Sequence, residues 1–232
     1  MNMTRRQHLQ LLAAAAGSAT LGGTLSQAQE SKAMNPKKVT LPKYSNADFY
    51  KDGVFQQDAA KKAYLDMMEK HGYDLHIANE AKWASPFWVT DFGLGDFVNV
   101  GMGGVFWINS EESNYFAHEI FLLPGQMIVE HAHEATDKAK PKMESWHPRH
   151  GSIYCMGETG GEIPAGVILP KSQEKFITVK KCTEVKSGDM ATLNRILAKH
   201  FMMGGPEGAI VSEYASFHDN AGLRFTNPGV KF

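Results

Sequence analysis

The sequence predicts a mainly β protein, a sandwich or jelly-roll barrel with a helical N-terminal extension. Three observations carry that expectation. From about Val98 onward, short apolar runs alternate with polar turn-forming stretches, the pattern of closely spaced strands. Beyond the first third no strand-helix-strand alternation appears, which argues against α/β architectures. The 232 residues hold 22 glycines and 10 prolines, ample turn chemistry for such a fold. Hydrophobic residues make up 43% and charged residues 21%, enough for a sizeable core. A formal net charge of −1 gives no electrostatic footprint for a nucleic-acid partner. No internal repeat is evident.

Residues 1–28 read as an export signal rather than as fold. Arg5-Arg6 precede a mildly apolar region from Leu11 to Leu25, and Ser26-Gln27-Ala28 offers small residues for cleavage. The pattern is of twin-arginine type and predicts a periplasmic location. The apolar region is short and interrupted by Gly, Ser and Thr, so a stable membrane anchor is not expected. Residues 29–87 read as an N-terminal arm and helix. The polar segment Glu30 to Lys51 is followed by a helix over Ala59 to His71, with Asp58 placed to cap its start and Gly72 to end it. Trp83-Ala84-Ser85-Pro86-Phe87-Trp88 is an aromatic cluster suited to packing.

Residues 88–232 form the expected barrel. Its candidate strands are Val105–Asn109, His118–Leu123, Met127–His133, Glu144–His147, Gly151–Met156, Phe176–Val185, Met190–Leu193 and Ala209–Tyr214. The two cysteines, Cys155 and Cys182, sit in strand-like runs and read as buried, unbridged thiols.

Within the barrel, the stretch Glu130 to Gly151 carries the chemistry. After the turn Pro124-Gly125, a strand-like segment ends in His131-Ala132-His133. Residues i and i+2 of a strand share a face, so both imidazoles point the same way. Glu144 falls on the next strand, where it can close a metal site or pair with Arg149. Lys142 alternates with Glu144 and shares its face. His147 and His150 are further histidines beside the site, and His147 is a candidate substrate contact. Glu130 and Glu134 flank the histidines and should point to the opposite face, and His118 reads as core or interface. Imidazole and carboxylate donors without thiolate admit Mn²⁺, Fe²⁺, Co²⁺, Ni²⁺ or Zn²⁺.

The motifs Pro124-Gly125-Gln126, His131-Ala132-His133, Lys142-Met143-Glu144 and Gly151-Ser152-Ile153-Tyr154 together resemble the D-lyxose isomerase family of cupin-type sugar isomerases. Thr90-Asp91-Phe92-Gly93-Leu94-Gly95 resembles the segment opening that family's barrel, and the likeness runs over roughly residues 88–232. It implies a cupin barrel and a metal set of His131, His133, Glu144 and His200, with manganese the expected ion. It implies Glu213, in Gly208 to Ser216, as the catalytic base, Lys142 as its proton-transfer partner and Arg224 in the tail as a substrate contact. The chain departs from the family before His200, where a proline-rich turn is missing. The implied activity is aldose–ketose isomerisation of D-lyxose and D-xylulose, or of D-mannose and D-fructose, in a homodimer. Two other functions suit the same barrel, a metal-dependent cupin oxygenase and a non-catalytic sugar-binding cupin.

Overall fold

Two long strands that bend together organise the barrel. The computed structural model describes residues 39–74 and 83–232; the expected export signal lies outside them. The strands are β1 (Tyr50–Lys51), β2 (Val54–Phe55), β3 (Trp88–Thr90), β4 (Met102–Ser110), β5 (Tyr115–Leu122), β6 (His131–His133), β7 (Glu144–Gly157), β8 (Lys181–Lys186), β9 (Ala191–Thr192), β10 (Phe201–Ala215) and β11 (Leu223–Phe225). A helix, α1 (Gln57–Lys70), precedes β3. The main sheet runs β3-β4-β5-β10-β7-β8, with β9 on β7, and β11 pairs with β6 in a second small sheet. All these pairings are antiparallel. The fold is a cupin-type jelly roll, mainly β, with a helical N-terminal extension.

The bend lies where Gly151 of β7 stands against Gly208 and Ala209 of its neighbour β10. Gly151 and Gly208 both hold φ of +70°, and a Cβ on Gly151 would lie 2.0 Å from the Gly208 carbonyl oxygen. Only glycine fits there. The β10–β7 register shifts between Gly204 and Ala209 and again between Ile210 and Val211. This corrects the expected strands. Glu144–His147 and Gly151–Met156 are parts of one strand, and β10 begins at Phe201 rather than Ala209, because a glycine-containing bulge reads locally like a turn. In the other direction, residues 127–130 pair only through isolated bridges such as Met127 with Met203. The pairing of Phe176–Val185 starts only at Lys181, after a 3₁₀ turn over Glu174–Phe176.

The core has two main layers. Ile120, Leu122, Ile153, Met202 and Val211 fill the interior, and α1 covers the outer face of the main sheet. Helix residues Ala60, Ala63, Tyr64, Met67 and Met68 pack on Val105, Phe121 and Ile210. Each large side chain so buried contributes about 1.5–3 kcal/mol. The Tyr64 hydroxyl donates to Gln126 Oε1 at 2.6 Å, and Gln126 also bonds the Leu123 amide and the Phe97 carbonyl. The Pro-Gly-Gln motif thus ties the helix to the turn that leads into β6. Asp58, expected as the cap, is instead within the first turn, where its charge suits the helix dipole. Both cysteines are buried free thiols.

Candidate metal centre and active site

Four donor side chains meet at one end of the interior. His131 and His133 come from β6, Glu144 from the first position of β7, and His200 from just before β10. Mutual backbone bonds between His131 and His200, at 3.0 and 2.9 Å, bring the two segments together. One donor atom from each of the four residues lies within 4.8 Å of the others. The orientation of the rings is fixed from behind. His131 Nδ1 lies 2.8 Å from the Val129 carbonyl, and His200 Nδ1 lies 3.0 Å from that of Ala198. A carbonyl only accepts, so both Nδ1 atoms carry the proton and each Nε2 turns to the cluster, as metal-ligating imidazoles do. His133 Nε2 and Glu144 Oε1 stand 3.2 Å apart, yet both are buried without an aligned hydrogen bond. Converging lone pairs without a cation are costly in a buried site. This donor set fits a divalent ion.

The charges in the cluster follow from the same geometry. Burial would raise the Glu144 carboxyl, but Lys142, His133 and His200 hold it well below the usual range. His131 is driven well below an ordinary imidazole by burial and then by His200 and His133 beside it. Burial also opposes charge on His200, but Glu144, at 2.8 Å, raises it. A metal ion would displace that proton.

Beside the cluster sits a second set of groups. Lys142 Nζ lies 3.0 Å from Glu144 Oε2 and forms a short ion pair with Glu213. Glu213 stands opposite Trp146 on one side and His118 on the other in the β7–β10–β5 register. Opposite residues of antiparallel strands share a face, so all three look into the same space. His118 Nδ1 is 3.2 Å from Glu213 Oε2. The opposite ring atom, Nε2, abuts Gly104, where a Cβ would lie only 2.2 Å away. A bare Nε2 suits that contact, so Nδ1 carries the proton and donates to the carboxylate. Burial keeps the His118 imidazole neutral, Glu213 notwithstanding. Burial works against charge on Lys142 and Glu213 as well. Glu144 and Glu213 outweigh it for the ammonium, and Lys142 outweighs it for the Glu213 carboxyl, leaving an ionised pair.

Around these groups lies a cavity of about 570 Å³, its open mouth included. Its walls are largely aromatic, with Trp88, Phe92, Phe106, Phe116, Trp146 and Phe225 prominent. Trp88 stacks on His118 at 5.6 Å between ring centres. His218 also lines the cavity, and burial, with Lys142 nearby, pushes its pKa down to about 4.

The structure brings His131, His133, Glu144, His200, Lys142 and Glu213 together. It does not bring Arg224 or His147 to them, and both expected substrate contacts are corrected. Arg224 alternates with Leu223 and Phe225, which line the cavity, and its Nε donates to Glu134 at the surface at 2.8 Å. His147 alternates with Trp146 and so falls on the other face of β7. Glu144 does not pair with Arg149. Glu130 points away from the cluster, as expected, and accepts from Thr178 Oγ1 at 2.6 Å and from the amides of Thr178 and Val179. Sequence reasoning misses His118, which reads as core or interface, and His218. For Trp88 the aromatic cluster was the available signal.

No protein-family model matches this chain. Two relatives are similar over its larger part. The D-lyxose/D-mannose isomerase of Thermosediminibacter oceani is 34% identical over 143 residues, covering 62% of this chain and 77% of the relative. The D-lyxose ketol-isomerase of Cohnella laeviribosi is 36% identical over 145 residues, with the same coverage of 62% and 77%. Among solved structures, the L-ribose isomerase of Acinetobacter sp. DL28 in complex with L-ribose superposes with a TM-score of 0.57 at 14% identity, covering 75% of this chain and 92% of that one. The L-ribose isomerase of Cellulomonas parahominis gives 0.56 at 13% identity, again over 75% and 92%. At such identities the likeness concerns the fold. Sequence kinship to the first pair, joined to a barrel that converges on a buried His/Glu cluster, places the chain in the D-lyxose isomerase family of sugar isomerases.

Proposed function

We propose that the protein is a metal-dependent aldose–ketose isomerase that interconverts D-lyxose and D-xylulose, with D-mannose and D-fructose as a second pair. The observation that carries this is the Glu213 carboxylate, held between Lys142 and His118 in an aromatic cavity beside the four-donor cluster. In the forward direction Glu213 takes the proton from C2 of the aldose, and the C2–H electrons become the enediol double bond. The carboxyl, whose proton exchanges with solvent while the enediol is held, then delivers a proton to C1; O1 gains and O2 loses one proton in the same conversion, so the ketose forms with no net change in atoms or electrons. Lys142 keeps Glu213 ionised before the transfer and exchanges a proton with the sugar oxygens as their charge changes. General acid–base groups so placed contribute about 10²–10⁴-fold. A divalent ion, manganese by preference, held by His131, His133, Glu144 and His200 would polarise the carbonyl and offset charge on the sugar oxygens. The Lys142–Glu213 pair favours proton transfer over the oxygenase and storage alternatives, neither of which needs it.

The test is incubation of metal-stripped, Mn²⁺-reloaded protein with D-lyxose and D-mannose in D₂O under anaerobic conditions, followed by NMR. Ketose with deuterium at the exchanged carbon is the expected product. The Glu213→Gln variant should keep its metal and lose activity by about 10²-fold or more. Metal-loaded protein that neither converts nor exchanges either sugar would overturn the proposal.

Export and assembly belong to the same proposal. Replacing Arg5-Arg6 by lysines should leave the protein in the cytoplasmic fraction instead of the periplasm. Sedimentation should find a homodimer at micromolar concentration, and a monomer there would count against pairing.

A further inference from the structure

We propose that His218 recognises one sugar hydroxyl beyond the reacting C1–C2 pair, as a fixed hydrogen-bond acceptor in the cavity wall. The inference rests on the isomerase function proposed above. His218 Nε2 lies 2.6 Å from Asn220 Oδ1, an oxygen that can only accept, so Nε2 carries the proton and Nδ1 presents a lone pair. Nδ1 is buried and has no partner. The residue is held on every side. Asn109 brackets its backbone, donating to the His218 carbonyl at 2.9 Å and accepting from its amide at 3.0 Å. The ring stacks on Phe116 at 5.2 Å and meets the edge of Phe106 at 5.6 Å. Its centre is 6.0 Å from that of His133, which places it within the span of one small sugar from the metal cluster.

The rest of the wall makes this acceptor matter. Among the described cavity residues, Glu144 and the cluster histidines His131, His133 and His200 face one another, and Lys142 and Glu213 are paired. His118 Nε2 is closed off by Gly104. Beyond these groups the lining is apolar or aromatic, and Trp88 Nε1 is an unpartnered donor. His218 Nδ1 is therefore the acceptor left for a ligand. A lone pair in an aromatic wall selects a donor and rejects carboxylate or phosphate oxygen. The Lys142 ammonium already serves two carboxylates, so no cationic side chain of the described lining is left to pair with an anion. The ligand class is a neutral polyol, read at one hydroxyl and packed on rings elsewhere.

The test pairs wild type and His218→Phe with D-lyxose and with analogues lacking the hydroxyl at C3, C4 or C5. In wild type, one analogue should lose on the order of ten- to a hundred-fold in kcat/KM, because it leaves a buried acceptor unpaired. In His218→Phe, discrimination against that same analogue should fall to within about threefold, while the other analogues keep their wild-type ratios. An unchanged discrimination pattern in the variant overturns the inference. A second readout is independent of turnover. With Zn²⁺-loaded ¹⁵N-histidine protein, whose ion is diamagnetic, and D-arabinitol, the unreactive reduced form of D-lyxose, the His218 Nδ1 resonance should shift as its lone pair gains a hydrogen bond. No shift at saturating D-arabinitol also overturns it. If wild type turns over D-lyxose yet neither effect appears, the His218 inference alone fails. If wild type isomerises no sugar, the proposed function fails first.

Discussion

Replacing Lys142 by Met tests whether the acid–base pair is held together as the structure indicates. Met is close to Lys in volume and fills the space without charge. Lys142 serves two carboxylates, Glu144 at 3.0 Å and Glu213 through a short pair, and all three side chains are no more than 5% exposed. The variant strands two buried carboxylates with no ammonium between them. Breaking a buried pair by removing one partner costs about 3–5 kcal/mol. For a domain of this size that lowers Tm by roughly 6–20 °C in metal-free protein near neutral pH. Glu213→Gln is the informative contrast. It leaves the Lys142–Glu144 pair intact, and the Gln carbonyl still accepts, so its cost should be only about 1–3 kcal/mol.

The pH dependence follows with a definite sign. In wild type both carboxyls titrate below the usual carboxylate value, so their stabilisation is present above it and is lost as pH falls through the folded values. In Lys142→Met, burial is no longer offset by the ammonium, the carboxyls titrate higher, and the variant regains stability by protonating as pH falls. The gap between the two proteins therefore narrows on acidification. It also narrows when a divalent ion is added, because the ion compensates Glu144. Urea unfolding with and without chelator, from neutral pH down to about 5, measures all of this. A Lys142→Met cost under about 1 kcal/mol, or a Glu213→Gln cost equal to that of Lys142→Met, would refute the shared-ammonium account.

Three further outcomes are expected. Metal loading should release protons at and above the ordinary histidine value, because Glu144 raises the metal-free His200 imidazole; that pair stabilises the apo protein fully below the ordinary histidine value and less as pH rises through the folded value. Calorimetric titration in buffers of different ionisation enthalpy checks it, and loading without proton release would contradict it. Gly151→Ala should cost at least about 2 kcal/mol by urea midpoint, since the new Cβ would sit 2.0 Å from the Gly208 carbonyl oxygen at φ +70°; an unchanged midpoint would mean that the paired bend is not required. Arg224→Ala should leave kcat/KM within about twofold and stability within about 1 kcal/mol, as its partner is the exposed Glu134. A tenfold loss of kcat/KM would return Arg224 to the substrate.

What the sequence discloses divides by the range of the physical rule involved. His131 and His133 are legible because a strand's two-residue period is local and puts both rings on one face. Lys142 and Glu144 follow by the same parity. That parity also argues against His147, an odd number of positions from Glu144, and against Arg224, which lies between the cavity-facing Leu223 and Phe225. Proximity along the chain to a metal motif is a weaker guide than strand parity. The bend was illegible for a different reason. Gly204-Gly205-Pro206-Glu207-Gly208 has the composition of a turn, and only pairing with a neighbouring strand distinguishes a bulged continuation from a chain reversal.

His118 marks the limit of local reading. Nothing adjacent to it in the sequence distinguishes a buried core histidine from one that orients a carboxylate. The distinction comes from register: Glu213 stands opposite it on β10, Phe106 stands opposite it on β4, and Gly104 makes room for its bare nitrogen. Each of these is a long-range consequence of strand order. A single-residue slip of β5 against β10 would place Glu119, not His118, opposite Glu213 and move the imidazole to the outer face. Glu119 is buried on that outer face, where it accepts from Ser212 Oγ at 3.1 Å and from Trp107 Nε1 at 3.2 Å. A slip would break those bonds along with the His118–Glu213 contact. The polar network on the outside of β5 and the base-orienting contact on its inside therefore specify one and the same register, so the arrangement of the site is secured from the face opposite the chemistry.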